Sequence, residues 1–102
     1  MSLAEVKLQD FTQEELLAFL KLLEENVRLN ILRFLANNGP SPVGRLADAV
    51  GVRPSVTSHH LRILLDGGLV SYGYAPPFKI YRINSDRVSG LLTKLRKELL
   101  GD

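Results

Sequence analysis

A chain of 102 residues has room for one domain with a thin core, and one domain across residues 1–102 is expected. Its 45% hydrophobic and 24% charged residues exclude a disordered chain, and the absence of cysteine excludes disulfides, thiolate metal sites, iron–sulfur clusters and a cysteine nucleophile. The net charge is only +2, but residues 1–40 carry four basic and six acidic side chains whereas residues 79–102 carry six and three, which points weakly to a polyanionic partner for the C-terminal part.

The longest apolar run, Leu16–Leu20, is far too short to span a membrane. The opening Met-Ser-Leu-Ala-Glu lacks the basic-then-apolar pattern of a signal peptide. A cytoplasmic protein with no membrane partner is the expectation.

Thr12-Gln13-Glu14-Glu15 fits a capping box, with Phe11 and Leu16 placed as the hydrophobic staple across it. Leu16, Leu17, Leu20 and Leu23, with Phe19, recur at helical spacing and predict a first helix over about 12–23. Asn26 is the expected cap of a second helix carrying Val27, Ile31, Leu32, Phe34 and Leu35, which Asn37-Asn38-Gly39-Pro40 ends. Ser41-Pro42 reads as the start of a third helix, with serine as cap and proline at the first helical position. That helix carries Leu46, Ala47 and Val50 and stops at Gly51. Pro54 opens a fourth helix over about 54–66, with Thr57, Leu61, Leu64 and Leu65 on its inner side and Gly67-Gly68 at its end. A short β-prone stretch from Leu69 to Tyr72, a turn from Gly73 to Pro77 and an alternating strand from Phe78 to Ile83 predict a hairpin. Ser85 is the expected cap of a last helix over about 86–100, striped with Val88, Leu91, Leu92, Leu95 and Leu99.

The expected class is therefore α+β and mostly helical, with four helices, a β-hairpin and a C-terminal helix. Two short helices joined by a three-residue turn, over about 41–66, make a helix-turn-helix, and a hairpin over about 69–84 adds a wing. In such a pair the second helix enters the major groove of duplex DNA. Its outer face here presents Ser55, Ser58, His59 and Arg62, all able to bond phosphates or base edges, with no acid before Asp66. Arg45, Arg53, Val56, Lys79 and Arg82 are expected at the same surface. The leucines of the first and last helices exceed what so small a core needs. Leu16, Leu20, Leu91, Leu92, Leu95 and Leu99 are therefore expected in a homodimer interface.

Other chemistries have little support. Adjacent helical residues diverge by about a hundred degrees, so His59 and His60 do not chelate one ion together. His60 is expected to pack between helices, and His59 to face DNA. Ser55, Ser58 and His59 lie on a convex helix without an orienting group or an oxyanion site, so no catalytic residue and no cofactor are expected. Tyr72, Tyr74, Phe78 and Tyr81 read as wing and core packing rather than a stacking platform for single strands.

Several segments carry a family resemblance. Gly39-Pro40 with Val43-Gly44-Arg45-Leu46-Ala47, Ser55 and Ser58-His59-His60-Leu61-Arg62, and Leu65-Asp66-Gly67-Gly68-Leu69-Val70 are similar to the ArsR/SmtB family of prokaryotic winged-helix repressors. So are Val27–Leu35 as second helix and Ile80-Tyr81-Arg82-Ile83 in the wing. The resemblance covers about residues 12–99. It implies a homodimer built from the first and last helices, an inverted-repeat operator in double-stranded DNA, and transcriptional repression in a prokaryotic cell. The sequence departs from the family at three places. The positions of the paired cysteines found in many family metal sensors hold Pro42 and Gly44, and the last helix has Asp86 and Glu98 but no histidine, so metal sensing through either site is not expected. The wing tip, Tyr74-Ala75-Pro76-Pro77-Phe78, is apolar where the family carries charge; it is left to pack on the protein, touch the sugar-phosphate, or bind a partner. Arg53 replaces a capping serine, removing a side-chain cap worth about 1 kcal/mol but adding a cation. Two further readings stay open: a winged-helix module that docks a protein partner through this tip, and a sensor switched by a small-molecule effector.

Overall fold

The computed structural model describes residues 11–101. Among these residues, five helices and three strands follow in the order α1 (Gln13–Leu23), α2 (Asn26–Asn38), β1 (Ser41–Pro42), α3 (Val43–Val50), α4 (Pro54–Asp66), β2 (Val70–Ala75), β3 (Phe78–Ile83) and α5 (Ser85–Leu100). The class is the expected α+β winged helix-turn-helix.

Thr12 caps α1 as its sequence predicts. Its hydroxyl accepts from the Glu15 N–H at 3.1 Å while Glu15 accepts from the Thr12 N–H at 3.2 Å, so two otherwise orphaned donors are satisfied reciprocally. The caps of α2 and α5 each lie one residue earlier than expected. Glu25, not Asn26, caps α2 by accepting from the Arg28 N–H, and Asn84, not Ser85, caps α5 by accepting from the Arg87 N–H. Each side chain reaches the third helical N–H, the geometry that a cap requires.

The largest correction falls on Ser41-Pro42. These residues do not start a helix; they form a strand antiparallel to β3, with Ser41 opposite Tyr81 and Pro42 opposite Ile80. The sheet order is β1-β3-β2. Ser41 is buried and its hydroxyl donates to the Gly39 carbonyl at 2.9 Å, so it is not free to cap α3. Helix α3 begins at Val43 with no side-chain cap. The hairpin is also longer than expected. Pairing continues to Ala75 opposite Phe78, which shrinks the connection to Pro76-Pro77.

The core gathers Leu16 and Phe19 of α1, Ile31 and Leu35 of α2, Leu46 of α3, Leu61 and Leu64 of α4, Tyr81 of β3 and Leu91 of α5, with Leu69 and Val70 at the entry to the wing. Thr57 is buried beside them and satisfies its hydroxyl on the Arg53 carbonyl at 3.1 Å. The inner face of α4 is therefore the one its pattern predicts.

The end of α4 is fixed by polar contacts. The Gly68 N–H bonds the Leu65 carbonyl and the Leu69 N–H bonds the Leu64 carbonyl, both at 3.0 Å, which closes the helix with Gly68 at φ +77°. A Cβ on Gly68 would meet the Arg87 side chain at 2.7 Å. Arg87 Nε donates to the Gly67 carbonyl at 3.1 Å, its terminal nitrogen lies 3.3 Å from Glu15 Oε2, and its guanidinium sits 5.4 Å from the centre of the Phe11 ring. One side chain thus joins α4, α5 and α1.

The Thr12 N–H, then the Arg87 guanidinium, hold the Glu15 carboxyl below its ordinary pKa of 4.5. A carboxyl whose pKa falls on folding adds stability that is present above its unfolded value and lost as pH drops through its folded value. Glu15→Gln should therefore be less stable than the wild type at neutral pH, and the difference should vanish in acid well below pH 4.5. Arg87→Ala should lower stability by about 1–2 kcal/mol at neutral pH through the lost carbonyl and aromatic contacts. Thermal unfolding across the pH range checks both.

Candidate nucleic-acid interface

The turn between α3 and α4 is Gly51-Val52-Arg53, and Gly51 takes φ +76°, which a Cβ would penalise. The tight turn sets α4 across α3 and buries Thr57, Leu61 and Leu64. Arg53, Ser55, Ser58, His59 and Arg62 are consequently exposed, and Val56 is half-buried. Arg53 supplies no side-chain cap to α4, and the first turn holds no acid. The free amides and the positive end of the helix dipole suit an anion there. Arg62 and Asp66 lie 3.7 Å apart with side chains 77% and 73% exposed, a pair that water screens and that releases Arg62 at little cost.

The two adjacent histidines have different surroundings. His59 is exposed, whereas the His60 side chain is largely covered and its Nδ1 lies 3.3 Å from the Arg28 guanidinium and 3.8 Å from Glu25 Oε2. Arg28 Nε in turn donates to the Leu22 carbonyl at 2.9 Å. The Arg28 N–H, in first place, holds the Glu25 carboxyl below its ordinary range. His60 thus ties α4 to the α1–α2 junction and is withdrawn from the outer face. Sequence reasoning placed it between helices but missed the arginine; a basic residue one turn after the Glu25 cap was the available signal. No cluster of three or more potential metal ligands occurs among the described residues.

A cleft of about 940 Å³ separates α4 from the wing. Ser58, Arg62 and Asp66 form one wall, and Pro77, Phe78 and Lys79 the other, over a floor that includes Val43, Tyr72 and Tyr81. Lys79 Nζ rests 4.6 Å from the centre of the Tyr72 ring. Two expected contacts are not brought here. Arg82 stands three residues after Lys79, so strand alternation turns it to the other face of the sheet, where it lines a separate open cleft with Leu35, Gly39 and Pro40. Arg45 is exposed but sits over the Phe34 ring of α2 at 5.8 Å and does not line the cleft.

The leucines expected at a dimer interface divide in two. Leu16 and Leu91 are 5% and 1% exposed and belong to the protomer's own core, a correction to the sequence reading. Each stands on the inward side of its helix, against residues of the other elements. Leu95 is half-buried, whereas Leu20, Leu92 and Leu99 are exposed, together with Leu17 and Leu100, which were not expected at the interface. Helices α1 and α5 pack on one another.

Residues 20–72, which include the helix-turn-helix, match the family model of the bacterial regulatory proteins of the arsR family. The chain belongs to the ArsR family. It is 34% identical over 74 residues to the arsenical resistance operon repressor of Bacillus subtilis, covering 72% of this chain and 70% of that one. Among solved structures, NolR of Sinorhizobium fredii is similar with 31% identity and a TM-score of 0.69, over 99% of this chain and 95% of that one. The homodimeric winged helix-turn-helix DNA-binding domain Mb0332 of Mycobacterium bovis has 28% identity and a TM-score of 0.67, over 98% and 91%. This ArsR-family chain is thus a winged-helix regulatory protein. No helix among its described residues is long and apolar enough to cross a membrane.

Because Lys79 and Arg82 face opposite sides of the wing, they should differ against duplex DNA. Lys79→Ala should reduce the salt dependence of binding by about one unit, and Arg82→Ala should leave it unchanged. Titrations of random-sequence duplex at several salt concentrations check this.

Proposed function

We propose that this chain is a homodimeric repressor of the prokaryotic cytoplasm that binds sequence-specific double-stranded DNA. The observation that carries the reading is the exposed face of α4. Four side chains able to bond phosphate or base edges stand together on it, with Arg53 just before them, uncapped at the amide end and free of acid until Asp66. Placed in the major groove, Ser55 and Ser58 meet the near backbone or base edges, His59 donates to a guanine, and Arg62 reaches a base or the far backbone. Lys79 takes a phosphate across the cleft. Binding and release of DNA involve no covalent step, so the reading assigns no catalytic residue and no cofactor.

The dimer is supported by the exposed leucines of α1 and α5 and by the homodimeric state of the Mycobacterium bovis relative. A two-fold related pair of α4 helices would enter successive major grooves, about 34 Å apart, so the preferred site is an inverted repeat.

His59→Ala should weaken binding to the preferred site by about 1–3 kcal/mol and relax preference at one base position. Leu92→Glu with Leu99→Glu should leave a folded monomer that has lost tight operator binding, because a buried unpaired carboxylate costs at least about 2 kcal/mol. Sedimentation, circular dichroism and selection from a random duplex pool read these outcomes. A double variant that stays dimeric would overturn the interface. A wild-type chain that recovers no preferred sequence would overturn the operator reading.

A further inference from the structure

His60 has no role in the reading above, and only 14% of its side chain is exposed. Its Nδ1 stands between two partners of opposite kind, the Arg28 guanidinium at 3.3 Å and Glu25 Oε2 at 3.8 Å. We propose that this nitrogen is a proton-controlled latch on α4, closed while His60 is neutral and opened by a proton, so that DNA binding weakens in acid. The proposal rests on α4 being the helix that enters DNA.

The chemistry of the two partners defines the two states. A guanidinium only donates and a carboxylate only accepts. Arg28 therefore bonds Nδ1 only while that nitrogen keeps its lone pair, which puts the proton of the neutral ring on Nε2. Arg28 Nε also donates to the Leu22 carbonyl at 2.9 Å, so in this state α4 is bonded through Arg28 to the end of α1. A proton on Nδ1 makes it a donor and the ring a cation. The ring then loses its bond from Arg28, meets a like charge there, and turns to Glu25. Glu25 is ready to accept, because the Arg28 N–H holds its carboxyl below the ordinary range and it stays ionised where imidazoles titrate.

Among the described residues, Arg28 and Glu25 are the charged groups within hydrogen-bond or ion-pair range of the ring. At the end of α1, Lys21 and Glu24 are exposed and outside that range. Helix α3 and strand β2 also pack on α4. The charged residues of α3 are Arg45, which sits over Phe34, and the exposed Asp48; β2 has none. On α4 itself, the His59 ring stands edge-on with centres 5.5 Å apart, and Arg62 pairs with Asp66. Ser58 and His59 lie within two residues of the latch, so its state sets where they stand. DNA that needs the closed position selects neutral His60, and a protonated chain must shed its proton to bind. Affinity is then full above the imidazole range and is lost as pH falls through it. A proton on His59 acts in the opposite sense, since it adds a cation facing the phosphates.

The test therefore starts from His59→Gln. It takes a duplex that the wild type selects from a random pool and measures affinity at fixed salt between about pH 8 and about pH 5.5. The His59→Gln chain should lose about tenfold over that range, the scale of one hydrogen bond from a charged donor. Calorimetry in two buffers should show protons released on binding. Adding His60→Asn, whose side-chain oxygen accepts from Arg28 at every pH, should abolish the loss and keep the affinity of the alkaline end. Adding Glu25→Gln instead should move the loss to lower pH, because the protonated ring then lacks a partner of opposite charge, while glutamine still caps α2. Circular dichroism checks folding at each pH. A His59→Gln chain whose affinity stays flat or rises in acid overturns the latch and leaves the α4 reading standing. So does a loss that His60→Asn leaves unchanged. Should His60→Asn not fold, the decision passes to Glu25→Gln, and an unmoved loss overturns the latch. A wild type that binds no duplex at any pH overturns both readings.

Discussion

The carbonyl of Gly67, at the end of α4, accepts from the guanidinium of Arg87, and the placement of the outer face of α4 depends on that contact. Arg87 stands in the first turn of α5, and its other nitrogen meets Glu15 in the first turn of α1. The helix that presents Ser58, His59 and Arg62 is therefore tied at its C-terminal end to the two helices that present the exposed leucines. Packing alone sets a helix in a groove with some freedom to slide; a directional hydrogen bond at its last turn removes that freedom. Gly68 allows the approach, because a side chain there would occupy the space of the Arg87 stem. Earlier along α4, Arg28 bridges His60 to the Leu22 carbonyl and fixes the same helix against the α1–α2 junction.

The wing depends on a different constraint. Strand β3 is paired on both sides, with β2 and with the short β1. That third strand joins the hairpin to the chain immediately before α3, so the base of the wing and the helix-turn-helix share one sheet. Tyr81 anchors the join from the core side. Beyond β1 the ribbon is held by its own pairing, and the aromatic rings of Tyr72 and Tyr74 meet edge to face along it, 5.7 Å apart. A two-stranded ribbon of this kind is marginal alone and is stabilised by the sheet at its base.

A chain this short also divides its leucines between two tasks. The core takes one row from each of α1 and α5, represented by Leu16 and Leu91, and the adjacent rows remain at the surface as Leu17, Leu20, Leu92 and Leu99. A solvent-facing row of this length on two neighbouring helices is more than scattered surface apolarity, and it suits a partner that presents the same row.

The sequence by itself determined the local events. The capping box at Thr12, the glycine stops after α3 and α4, the inner face of α4 and the alternation in β3 depend on residues close together in the chain, and each was legible in their spacing. Only the tertiary structure decided what depended on distant partners. Ser41-Pro42 has the local signature of a helix start, yet pairing with Tyr81 and Ile80, forty residues on, makes it a strand. Leu16 and Leu20 differ little in sequence, yet the packing of α5 against α1 puts one in the core and leaves the other exposed. Lys79 and Arg82 look like equal cations until the sheet takes a face toward α4 and turns one of them away. Periodicity reports that a helix or strand has faces; which face meets which neighbour is settled by residues far away in the chain, and no local pattern records them.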